Sequence, residues 1–220
     1  MIMKSFIKGL WSRTKSEPAA RELDHPRALQ VGDFLKMSDS YGLPEFLRDQ
    51  VFEVTAITTW QYEHEFETTF SLRSKNNDSI DLTIDNDAGR EKAAFSIEIP
   101  RTVVEQIFDL DEFSSIFDEE IATSLNTVTK LDLAGWLSDQ YHQTACGERG
   151  FFYQKDCRGS GPSEFEGDGE PFDYYEMVSA DESQALEVAV YGGGETEVSL
   201  MLNRSVDEIR ELWPAATPAP

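Results

Sequence analysis

The chain has 220 residues, 42 Asp/Glu against 19 Lys/Arg, a formal net charge of −23, and 40% hydrophobic side chains with 14 Phe among them. That length fits one large domain or two small ones, and the apolar share supports a packed core, which excludes global disorder. The acidity excludes nucleic-acid binding by the body, and no run of about 18 apolar residues exists to span a bilayer as a helix.

The charge is unevenly spread. Residues 1–27 carry six Lys/Arg and three acids, a balance of +3, and the other 193 residues carry −26. On a helical wheel of about 100° per residue, Ile2, Met3, Phe6, Ile7, Leu10 and Trp11 fill one half, while Lys4, Ser5, Lys8, Gly9, Ser12 and Lys15 fill the other. Arg13 alone falls on the apolar side. The pattern predicts an amphipathic basic helix over 1–15. Its apolar face suits the acyl boundary of a membrane surface of anionic lipid, with lysines at the headgroups and Trp11 at their level. The same face suits a protein partner or the chain's own body, and an unstructured start is the remaining alternative. The charges interrupting the apolar positions argue against a secretory signal. The docking residues are therefore Ile2, Met3, Lys4, Phe6, Ile7, Lys8, Leu10, Trp11 and Lys15.

Residues 16–29 lack periodicity and read as a linker to the body. Leu29 to Met37 reads as a first strand, and Val51 to Trp60 and Phe66 to Leu72 as a β-branched and aromatic hairpin. Ile80, Leu82 and Ile84 alternate next, then Phe95, Ile97 and Ile99, completing an antiparallel meander with one wet face. After Pro100 the period changes. Thr102 to Phe108 and Asp111 to Phe117 predict helices, and so does Leu131 to Tyr141 with Leu133, Trp136 and Leu137 inward. A second β block follows at Phe151 to Gln154, Tyr174 to Val178, Leu186 to Tyr191 and Val198 to Leu202. An acidic Gly/Pro loop interrupts it at 159–171. Ser205-Val206-Asp207-Glu208 reads as a capping box for a closing helix through Trp213, with 214–220 a frayed, disordered tail. The expected fold is α+β: two antiparallel β-rich halves around a helical middle, with a tethered N-terminal amphipathic helix. The acidic α+β body runs over 30–213, and degenerate halves at 30–110 and 131–213 are suspected.

No motif identifies a catalytic, cofactor-binding or metal-binding residue, and none is assigned. Asp85-Asn86-Asp87-Ala88-Gly89 lacks the ligand spacing of a calcium loop and reads as a hairpin turn. His142, Cys146 and Cys157 lack zinc spacing, and the two cysteines suggest free thiols in a reducing cytosol. Gly192-Gly193-Gly194 lies between strands and lacks a helix N-terminus for phosphate. Tyr62-Glu63-His64-Glu65 sets a histidine between carboxylates but reads as an exposed turn. The acids at 109–112 and 118–120 sit near helix starts, where they offset the dipole.

The start at residues 3–8, Val31-Gly32-Asp33-Phe34, the hairpin from Phe52 to Leu72, Gly150-Phe151-Phe152-Tyr153 and Ser205–Trp213 together resemble the YjfK-like family of uncharacterised bacterial proteins, a domain of unknown function. The resemblance covers nearly the whole chain and transfers no active-site residue. It implies a setting: such proteins tend to be encoded beside a phage-shock-type coat protein and small membrane proteins. The leading expectation is thus a non-enzymatic cytoplasmic adaptor, peripheral on the inner membrane or docked on that coat protein through residues 1–15. An enzyme or small-ligand-binding domain with a site assembled by folding is one alternative, and a homo-oligomeric structural protein is another. A deep carboxylate-lined pocket, especially one gathering His64 with acids from the second half, would favour the ligand-binding alternative.

Overall fold

The computed structural model describes residues 21–63, 65–87, 89–118, 123–129, 131–133, 135–162 and 168–215. The alternating segments of the sequence become two four-stranded meanders. The first is β2 (Val51–Gln61), β3 (Phe66–Ser74), β4 (Ser79–Asp87) and β5 (Arg90–Glu98). The second is β7 (Gln140–Tyr153), β8 (Glu170–Val178), β9 (Gln184–Tyr191) and β10 (Thr196–Ser205). Three short strands flank them: β1 (Phe34–Met37), β6 (Ser124–Asn126) and β11 (Ile209–Trp213). All belong to one antiparallel sheet of order β11-β1-β2-β3-β4-β5-β10-β9-β8-β7-β6.

That sheet curls until its own strands meet. Thr59, Trp60 and Gln61 at the tip of β2 pair with Tyr153, Phe152 and Phe151 at the tip of β7. The pairing closes a ring of eight strands, β2 to β5 and β10 to β7, from which β1, β11 and β6 extend. The two strands that meet also carry irregular register, β2 at Val54/Ala56 and β7 at Gln143/Ala145 and Cys146/Glu148. Such bulges add twist and bend, which closure requires. Gly147 supplies a φ of 66° at the last of them, where a side chain would be strained. Gly150 lies opposite Phe172 on β8, and a Cβ there would stand 2.3 Å from the ring. Closure is reinforced by Thr59, whose hydroxyl donates to the Lys155 carbonyl at 2.9 Å and accepts from the Cys157 amide at 3.1 Å.

The core lies on the outward face of this ring. Phe70, Leu72, Leu82, Phe95, Leu200 and Leu202 are almost fully buried there. Leu29, Leu35, Leu43 and Leu47 cover them from the N-terminal side, and Val104, Ile107, Ile116 and Trp136 from the segment between the meanders. Residues 21–29, the described part of the expected linker, are strapped to the body. Leu29 is buried, and the Arg27 guanidinium and His25 imidazole both bond the Glu91 carboxylate, at 2.9 and 2.8 Å. Asp33, 1% exposed, pairs with Arg21 and accepts the amides of Gln30 and Ala215 at 2.7 and 2.8 Å. Burial raises its pKa, but these bonds outweigh burial and hold it below the usual carboxylate range.

The α+β expectation with a helical middle is overturned. Between the meanders stand only α1 (Arg101–Ile107) and α2 (Leu110–Ser114) as α-helices among the described residues. The helix expected over 131–141 is a single 3-10 turn, Leu131–Leu133, before the chain extends into β7. Trp136 and Leu137 are buried by loop packing, Trp136 stacking on Phe46 at 5.6 Å, so their inward spacing did not require a helix. The closing helix is likewise a strand. The Ser205 hydroxyl does accept the Asp207 amide, but after the turn Val206–Glu208 the chain runs out as β11 along β1. The unpaired edge of β1 competes for that backbone and wins. The two β-rich halves are therefore parts of one sheet. The N-terminal helix expected over 1–15 lies outside the described residues.

A candidate ligand-binding site inside the strand ring

Alternation that sends Phe70, Leu82 and Phe95 outward sends Glu67, Thr69, Asp81, Thr83 and Ser96 to the other face. Residues from seven of the ring's eight strands line one cavity of about 110 Å³ on that face, so it is the ring's interior. Small barrels usually fill this space with apolar side chains. Here it is lined by carboxylates, with an aromatic cluster on one side.

The aromatic part sits where the ring closes. Trp60 lies 4.8 Å from Phe152 and 5.0 Å, edge-on, from Phe172. The β2–β3 hairpin, closed by the Tyr62 amide to the Glu65 carbonyl at 2.8 Å, turns Tyr62 onto Tyr174 with centroids 5.2 Å apart. Tyr174 in turn donates its hydroxyl to Glu187 Oε1 at 2.7 Å. Beside them stands Glu67, whose carboxylate has no hydrogen-bond or ion-pair partner among the described residues.

The chamber continues into a wider mouth of about 450 Å³ that shares Tyr62, Glu67, Tyr174 and Glu187 and adds Asp85, Glu148, Glu176 and Glu182. Lys92, 3.6 Å from Glu182, is the sole Lys or Arg among the described residues lining either space. The electrostatics follow. Burial, reinforced by Asp85, Glu65 and Glu176, pushes the Glu67 pKa up to about 7. Burial also raises Glu187 to about 8, with Glu67 and Glu176 adding to the rise and the Tyr174 hydroxyl opposing it. Burial lifts Asp81 and Glu197 as well, and keeps the Tyr62 and Tyr174 phenols well above their ordinary range. A positive charge placed in this chamber would relieve every one of these groups.

Hard metal ions also favour carboxylate oxygens. However, among the described residues no three His, Cys, Asp or Glu side chains converge as a metal site. The fit is to a ligand that spreads its charge between carboxylates and aromatic faces, as an organic ammonium does.

Of the residues singled out in the sequence, Tyr62, Glu65 and Asp85 line these spaces, and the other described ones lie elsewhere. The docking set Ile2, Met3, Lys4, Phe6, Ile7, Lys8, Leu10, Trp11 and Lys15 falls outside the described residues, as does His64. Asp85 and Asn86 end β4 at a hairpin, with the Asn86 side chain accepting the Gly89 amide at 3.1 Å, and Gly192-Gly193-Gly194 turns β9 into β10. His142 is exposed on β7 beside Ser124, whereas buried Cys157 lies past the other end of that strand, so the two do not meet. Asp109 caps α2 by accepting the amides of Asp111 and Glu112. Both cysteines are free. Missed in the sequence were Trp60, Glu67, Tyr174 and Glu187. The signal that could have found them is a carboxylate on the wet face of consecutive strands, a face the ring turns inward. Among the described residues no helix is long and apolar enough to cross a membrane. Compared with protein-family models, curated proteins and solved structures, the chain matches none.

Proposed function

We propose that the strand ring is a binding site for a small organic cation, an amine or quaternary ammonium. One observation carries the reading: the Glu67 carboxylate, unpartnered among the described residues, lines the same cavity as the tyrosine-held Glu187, Trp60 and Tyr62. An enclosed carboxylate without a partner is a cost to the empty protein that a bound cation removes. Aromatic faces contribute about 0.5–2 kcal/mol of cation–π attraction to such a ligand. Calorimetric titration of the full chain with alkylamines, alkylammonium ions and neutral alcohols of matched size tests it. Saturable binding of the cations alone, weakened at least tenfold by Glu67→Gln with Glu187→Gln, is expected. Equal binding of alcohols, or of the double variant, would remove the reading.

A second reading concerns the basic segment, supported by the +3/−26 charge split. Residues 1–15 dock the protein on anionic lipid or on a phage-shock-type coat protein, as kinship with the YjfK-like family would imply. The ring then delivers its ligand-dependent signal at that surface. Co-sedimentation with anionic vesicles should fall with salt and with Phe6→Glu, and equal sedimentation of a chain lacking residues 1–15 would exclude lipid docking.

A further inference from the structure

The acids of the interior fall into two groups. Glu67 and Glu187 stand within electrostatic reach of one another and both of Glu176, with Asp85 beside Glu67. Glu67 and Glu187 line both mouth and chamber, and Glu176 and Asp85 line the mouth. Deeper, Asp81 and Glu197 each lie within reach of Glu98, and all three line the chamber without reaching the mouth. Asp81 and Asp85 mark the two levels on one strand, since both face inward on β4 four residues apart, about 13 Å along an extended chain. Between the levels the wall is uncharged: Thr69 and Thr83, hydroxyls 3.0 Å apart, on one side and Met201 on another.

Two anionic levels separated by a neutral waist match a ligand with two cationic ends and an uncharged linker. Resting on the reading that the ring binds an organic cation, we infer that its ligand is a linear diamine or polyamine, held with one ammonium at Glu67 and Glu187 and the other at Asp81 and Glu98. The supporting evidence beyond the acids themselves is the enclosed Glu67 carboxylate, aimed into the cavity and unpartnered among the described residues. The aromatic cluster of Trp60, Tyr62 and Tyr174 forms a wall against which a methylene chain packs while its ammonium faces carboxylate. The narrow chamber admits an unbranched chain and excludes a bulky head.

The test uses the full chain and a length series of α,ω-diaminoalkanes, from butane to decane, each paired with the monoamine of the same carbon count. Calorimetry should show one site per chain. Each diamine long enough to reach both levels should bind at least tenfold tighter than its monoamine, with affinity peaking at one length. Asp81→Asn with Glu98→Gln should erase that diamine advantage, while its melting transition shows that the chain is folded. If monoamines bind as tightly as diamines, the two-level assignment fails and the cation-binding reading stands. If neither class binds, that reading fails with it. Several equivalent sites, unaffected by the substitutions, would mean attraction to the overall acidic surface and would overturn the assignment.

Discussion

The two faces of the ring are made by the same strands and do opposite work. Phe70 and Leu72 on β3 point outward into a core with no more than 1% exposure. Glu67 and Thr69 on that strand point inward to the cavity, where the Glu67 carboxylate has no partner among the described residues. The outward face stabilises the fold, since each side chain there removes apolar surface from water. The inward face spends part of that stability on desolvated charge. Buried polar groups without partners are rare in folded proteins because they cost free energy. Carboxylates whose burial raises their pKa gather at this one place, which is a mark of a functional site.

The largest effect expected is on the outer face. Phe95→Ala should lower unfolding free energy by about 3–5 kcal/mol, read from denaturant midpoints, because the side chain is fully buried between Leu82 and Leu202. A loss below about 1 kcal/mol would break the claim that the core lies outside the ring. Gly150→Ala should cost about 1–3 kcal/mol, because its methyl group would strike Phe172 beside the seam. It should also shift Trp60 fluorescence, which a core substitution such as Phe95→Ala would leave unchanged in the folded state.

On the inner face the sign reverses. Glu67 and Glu187 have folded pKa values of about 7 and about 8, above the ordinary glutamate value of 4.5. The folded chain therefore holds more protons than the unfolded chain between these limits. Their stabilising contribution is complete below about pH 4.5 and is lost as pH rises through 7 and 8. Replacing both with Gln should raise the stability of the empty protein at pH 9 by roughly 1–2 kcal/mol, after allowance for solvent screening, and leave it nearly unchanged at pH 4.5. Thermal melts across pH measure this. A double variant less stable than the parent at pH 9 would show that the carboxylates are satisfied structural groups.

How much of this was visible in the chain differs between the faces. The alternation of Ile80, Leu82 and Ile84, or of Phe66 to Leu72, was enough to find β3 and β4 and their apolar side. It could not show that the wet side turns inward, because closure depends on Thr59 to Gln61 meeting Phe151 to Tyr153, some ninety residues away. The helices misread at 131–141 and 205–213 fail for a related reason. Trp136 and Leu137 satisfy helical spacing but are buried by loop packing ahead of β7, and Ser205 does cap a turn, but the free backbone edge of β1 takes the following segment as a strand. Glu187 and Glu67 were unremarkable as isolated acids among 42 Asp/Glu. Only the ring brings the two halves' carboxylates together.

Proton release on ligand binding tests the central claim most directly. At pH 7.5, between the two pKa values, a cation entering beside Glu67 and Glu187 must drive both toward the ionised form. Titrating a diamine into the full chain in two buffers of different ionisation enthalpy should reveal about one proton released per ligand, and none from the Glu67→Gln, Glu187→Gln double variant. Binding heats that are independent of the buffer, or the same release from the double variant, would contradict it.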